Sequence, residues 1–153
     1  MSKSKAANSS PVPQGILLII GGKEDKGAER EDDKESNNGI LKAFIQLTEK
    51  KDPVIEIITS ASAEGDEMFE DYRKVFEMLH AGSLRHIHHT KRFEVLQDDL
   101  GERIQSADAF FFTGGDQLKI TSLYGGTSFL TQLKERLGME AVNNTLKKAG
   151  VLE

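Results

Sequence analysis

The 153-residue sequence contains no cysteine, which excludes disulfides, thiolate metal sites and a cysteine nucleophile. An excess of positive charge is also missing: 20 Lys and Arg stand against 25 Asp and Glu, for a net charge of −5. Without a basic field, nucleic acid and anionic membrane surfaces are not expected as general partners. The longest apolar runs fall far short of the roughly 20 residues a membrane helix needs. Residues 1–13 are polar and lack the apolar stretch of a secretory signal. Neither Gly-x-Gly-x-x-Gly nor a P-loop lysine pattern occurs, which weighs against a nucleotide-binding flavodoxin-like domain. These absences predict a soluble cytoplasmic protein with no cofactor.

What is present fits one domain with a sizeable core: 37% hydrophobic and 29% charged residues. Residues 16–20 (Ile-Leu-Leu-Ile-Ile) are continuously apolar and β-branched, which predicts a first strand covered on both faces, ended by Gly21-Gly22. A charged loop over 23–38 follows. Apolar positions at Ile40, Leu41, Phe44, Ile45 and Leu47 predict a helix over about 38–50, stopped by Asp52-Pro53. Residues 54–59 (Val-Ile-Glu-Ile-Ile-Thr) read as the next strand, leading into Ser60-Ala61-Ser62. Ser60 and Ser62 follow a strand end, where they either line a cleft or satisfy local backbone. Met68, Phe69, Tyr72, Val75, Phe76 and Leu79 mark a second amphipathic helix that stops near Gly82.

A weaker strand over 84–90 places His86 and His88 two apart, hence on one face. Two histidines begin a metal site, but no neighbouring carboxylate or further His completes the set, and no metal is expected. A helix over 94–106 leads to the stretch that organises the chain. Ala109-Phe110-Phe111-Phe112 is a short buried strand, Thr113-Gly114-Gly115 ends it, and Asp116-Gln117 starts a helix. Adjacent glycines permit positive φ and let a ligand reach the backbone without meeting a Cβ. Ser128 starts a further helix carrying Phe129, Leu130, Leu133 and Leu137. The alternation of strands and helices predicts a doubly wound, three-layer α/β/α fold with a mostly parallel sheet. In it, Gly22, Ser60 and the turn at 113–115 converge at the carboxyl edge, where open sheets bind ligands.

Four ordered blocks carry a resemblance. They are Gly21-Gly22-Lys23-Glu24-Asp25-Lys26, Ile57 to Ser62 (Ile-Ile-Thr-Ser-Ala-Ser), and Phe111 to Leu118 (Phe-Phe-Thr-Gly-Gly-Asp-Gln-Leu), then Thr121-Ser122-Leu123 with Gly125-Gly126-Thr127. Over residues 16–137 the chain resembles the cyanophycinase family, serine-type peptidases related to dipeptidase E with a class I glutamine amidotransferase-like fold. The resemblance implies hydrolysis of cyanophycin to β-aspartyl-arginine dipeptides by a serine that a histidine activates. It also implies that Gly114 and Gly115 build part of the oxyanion hole. Asp116 and Gln117 would contact the substrate, with Ser60 and Ser62 near the cleft.

The family nucleophile sits in Gly-Thr-Ser-Ala-Gly after the next strand, and no such segment occurs here. Ser128, in Gly126-Thr127-Ser128-Phe129, follows a helical segment rather than a strand and so does not form a nucleophile elbow. None of His80, His86, His88 and His89 stands at a matching position. The expected organisation is therefore a flexible lead-in at 1–14, a partial domain at 15–137 truncated before the nucleophile strand, and a divergent helical tail at 138–153. Such a chain is expected to be inactive alone, or to be a non-catalytic binding module that keeps the Gly-Gly-Asp-Gln loop. The missing neighbour of the 109–112 strand further predicts association of copies through an exposed sheet edge.

Overall fold

The computed structural model describes residues 15, 16, 18, 19 and 39–138. The expected lead-in, the charged loop at 23–38, Gly22 and the tail beyond Gly138 lie outside the described residues. The sheet has three parallel strands: β1 (Val54–Ile58) at its centre, β2 (Ser83–Ile87) on one side and β3 (Ala109–Phe112) on the other. Register runs from Val54 opposite Ser83 to Ile58 opposite Ile87, and from Ile55 opposite Ala109 to Ile58 opposite Phe112.

Side chains alternate across β1, so two cores form, one on each face. Ile55 and Ile57 pack with Phe111 against α1 (Gly39–Leu47) and α2 (Gly65–Met78). There Phe111 sits at the centre of an aromatic cluster, 4.9 Å from the Tyr72 ring and 5.4 Å from both Phe44 and Phe76. On the other face Ile58 and Ile87 meet α3 (Arg92–Gln97), α4 (Gly101–Ser106), α5 (Gln117–Tyr124) and α6 (Ser128–Leu137). The fold is thus the expected open α/β/α arrangement. From β1 the chain crosses to β2 through α2, then returns past β1 to β3 through α3 and α4. Crossovers of one hand running in opposite directions must cover opposite faces, as α2 and α4 do.

Glu56 shares the second face and is fully buried. It survives there because Arg103 of α4 grips it with two hydrogen bonds, Nε to Oε1 at 3.0 Å and Nη2 to Oε2 at 2.6 Å. Arg85, its register partner on β2, adds a charge contact of 2.6 Å from Nε to Oε1. That Nε makes no hydrogen bond, so the contact is ionic only.

Two elements differ from expectation. Ile16, Leu18 and Ile19 lie in no strand and are 61%, 38% and 56% exposed, so this apolar run is not covered on both faces at the described positions. A short apolar run does not specify its partner strand, and pairing is decided by distant residues. The helix expected over 94–106 is two helices. Asp98 turns the chain extended (ψ 122°), and Asp99 Oδ1 accepts the Gly101 N–H at 3.2 Å. Asp side chains that bond nearby backbone compete with the helix, and here they interrupt it.

Candidate functional site

The reversal of direction across β1 makes a topological switch point between the carboxyl ends of β1 and β3, where such sheets open a crevice. Residues 59–62 leave β1 on one side of it, and 113–116 leave β3 on the other. The two loops touch. Asp116 donates its N–H to Ala61 O at 3.1 Å, and Gly115 comes so close that a Cβ there would lie 2.4 Å from the same oxygen. Gly115 has φ +147°, a conformation open to glycine and strained for other residues.

The turn leaves two backbone donors unused. Thr113 N–H goes to Ile58 O and Asp116 N–H to Ala61 O, whereas among the described residues those of Gly114 and Gly115 donate to no protein acceptor. Both glycines are exposed, and nothing lies within 4 Å of where a Gly114 Cβ would stand. Asp116 caps α5, its Oδ1 accepting from Leu118 N at 2.9 Å. Gln117 opens the helix with an exposed side chain. Ser62 is half-buried on the loop after β1; its Oγ accepts the Glu64 N–H at 3.0 Å, and its carbonyl receives Lys119 Nζ at 3.5 Å.

Ser60 lies beneath this surface, fully buried. Its Oγ accepts the His89 N–H at 2.9 Å and is 2.6 Å from Tyr124 Oη. Tyr124 Oη in turn lies 2.8 Å from His89 Nδ1, and His89 Nε2 lies 3.0 Å from Asp98 Oδ2. Burial pushes the Tyr124 phenol up to about 12, the Asp98 charge adding to the effect and the Ser60 bond opposing it. Tyr124 therefore keeps its proton at neutral pH. Sequence reasoning missed Tyr124, His89 and Asp98 as members of this region. The available signal was position: His89 lies two residues past the end of β2, at the same sheet edge as Ser60.

His86 and His88 do converge, but on Thr59. Its Oγ1 is 2.7 Å from His86 Nε2 and 2.9 Å from His88 Nδ1, and Phe69 stacks on His86 at 4.4 Å. Burial, then the neighbouring His88, hold His86 below the ordinary imidazole range. Among the described residues no group of three or more His, Asp or Glu is placed to hold a metal ion. Ser128 is the exposed first residue of α6, capped by Thr127, whose Oγ1 accepts from Leu130 N.

An open parallel sheet with an exposed glycine turn at its switch point places the chain among the α/β folds that carry ligand sites at this edge. The chain belongs to Peptidase family S51, whose family model matches residues 18–142. It is 30% identical over 151 residues to a cyanophycinase of Synechococcus elongatus, covering 97% of this chain and 44% of that protein. A cyanophycinase of Thermosynechococcus vestitus matches to the same extent. One of Geminocystis herdmanii is 30% identical over 138 residues, 89% of this chain and 48% of the relative. The chain thus spans less than half the length of these curated relatives. The family expected from the four motif blocks is borne out. No helix among the described residues is long and apolar enough to cross a membrane.

Proposed function

We propose that this chain supplies the substrate-facing and oxyanion half of a cyanophycinase-like serine peptidase, acting on cyanophycin to release β-aspartyl-arginine dipeptides in the cytoplasm. The observation that carries the reading is the pair of N–H groups at Gly114 and Gly115, in the exposed turn at the switch point, which donate to no protein acceptor among the described residues. Donors held by a rigid turn before any charge develops are what an acyl-transfer oxyanion requires. Asp116 and Gln117, at the mouth of the same turn, would contact the polar groups of the dipeptide. Ser62 would line the facing wall, with Ser60 supporting that wall from below.

Hydrolysis also needs a nucleophile, and no Gly-Thr-Ser-Ala-Gly segment is present in these 153 residues. We therefore assign the chain by itself binding without turnover. A non-catalytic module or pseudoenzyme that binds the dipeptide is the second reading, favoured by the Gly-Gly-Asp-Gln turn and its two N–H groups without a protein acceptor among the described residues. Calorimetry with β-aspartyl-arginine tests the common core of both: the unmodified chain should bind, and Gln117→Ala should bind more weakly. No binding by the unmodified chain would overturn the proposal. Release of dipeptide from cyanophycin by the chain alone would overturn the assignment of binding without turnover.

A further inference from the structure

We infer that Ser60, Tyr124, His89 and Asp98 form a hydrogen-bonded lock that positions the Gly114–Gly115 turn through the carbonyl of Ala61. The inference rests on that turn being the ligand-facing element proposed above, although the lock is measurable without ligand. It joins all three carboxyl-edge connections. Ser60 follows β1, His89 follows β2, and Tyr124 closes α5, the helix that the glycine turn begins. Ser60 immediately precedes Ala61, whose oxygen accepts the Asp116 N–H at 3.1 Å and limits how closely Gly115 can approach. Displacement of Ser60 is therefore passed directly to the turn.

The chemistry of the partners gives the chain a direction. Asp98 as a carboxylate only accepts, so His89 Nε2 carries a proton and donates to it. In the neutral ring Nδ1 then accepts the Tyr124 hydroxyl. The Tyr124 oxygen is left to accept the Ser60 hydroxyl, and Ser60 Oγ accepts the His89 backbone N–H. Every polar atom of the buried run is satisfied in this order. Reversing it, with the proton on Nδ1, turns the Tyr124 hydroxyl toward Ser60 and leaves the Ser60 proton without an acceptor. Ser60 is fully buried and Tyr124 and His89 nearly so, so water does not replace a lost partner. The outer end of the lock reaches solvent only at Asp98, which is 48% exposed at the interruption between α3 and α4. The break in that helix thus places the carboxylate that orients His89. These four are positioning residues.

The first test uses the unmodified full chain. Nitrogen-15 NMR of the histidines should show His89 as the Nε2–H tautomer, and an Nδ1–H ring would overturn the lock. Tyr124→Phe and Ser60→Ala should each speed hydrogen exchange at the Asp116 amide about tenfold, the scale of one buried hydrogen bond lost. Exchange at the Ile57 and Phe76 amides should change by no more than about twofold, because a local opening leaves the core closed. The double variant should also show about tenfold, since both substitutions break one chain of bonds. Equal acceleration at Asp116 and in the core, or a multiplicative double variant, would overturn the inference. Should either variant fail to fold, the tautomer of the unmodified chain decides alone. Loss of dipeptide binding in a chain with the expected tautomer and exchange would count against the proposed function and leave the lock standing.

Discussion

Replacing Gly115 by alanine should separate the two loops that meet at the switch point, and the structure sets the cost. The new Cβ would stand 2.4 Å from Ala61 O, 2.6 Å from Ala61 C and 2.9 Å from Ala61 Cβ. None of these is the yielding end of a long side chain, so the loops themselves must move. Holding a non-glycine residue at φ +147° adds backbone strain of about 1–3 kcal/mol. Moving apart also loses the Asp116 N–H to Ala61 O bond, about 1 kcal/mol. The expected destabilisation is about 2–4 kcal/mol, a fall in Tm of about 5–15 °C for a chain of this size. Gly114→Ala is the control: its Cβ meets nothing within 4 Å, so stability should stay within about 0.5 kcal/mol. Yet its methyl would stand where the proposed ligand approaches, so dipeptide binding should weaken. Thermal unfolding by circular dichroism measures the first pair of effects and calorimetry the last. A Gly115→Ala protein as stable as the unmodified chain, or equal costs at both glycines, would refute the close approach of the two loops.

Other expectations follow from the same geometry. Arg103→Ala removes both hydrogen bonds to the buried Glu56 carboxylate and should cost about 3–5 kcal/mol in urea unfolding, whereas Arg73→Ala, on an exposed helix face, should cost under about 1 kcal/mol. Comparable losses would show that Glu56 is not held as described. His86 has its pKa lowered in the folded state, so the unfolded chain binds the proton more readily. Its contribution is fully present above the ordinary value of 6.5 and is lost as pH falls from there through the folded value. His86→Gln should flatten the stability profile in that window; an unchanged slope would be the contrary result. Association through the free edge of β3, which we propose on the 43% exposure of Phe112 and the lack of a second neighbouring strand among the described residues, predicts concentration-dependent species in light scattering. Phe112→Lys should abolish them, and a monomer at all concentrations for the unmodified chain would refute it.

Much of this protein is legible in its residues taken in order. The apolar run Ala109–Phe112, the glycine turn after it and the capping aspartate at 116 specify strand, loop and helix through local chemistry, and the structure has each of them. The helical spacing of Leu41, Tyr72 and Phe76 likewise marks faces that do turn inward. The family is readable as well, because its motif blocks are short and contiguous. Tertiary structure alone decided the rest. No local pattern shows that Glu56 finds Arg103 47 residues away, or that Tyr124, 64 residues from Ser60, bonds it from below. Nor does an apolar run such as 16–20 carry the identity of its strand partner. Propensity and capping act within a few residues, whereas burial, pairing and the satisfaction of buried polar groups depend on which distant segments the fold brings together.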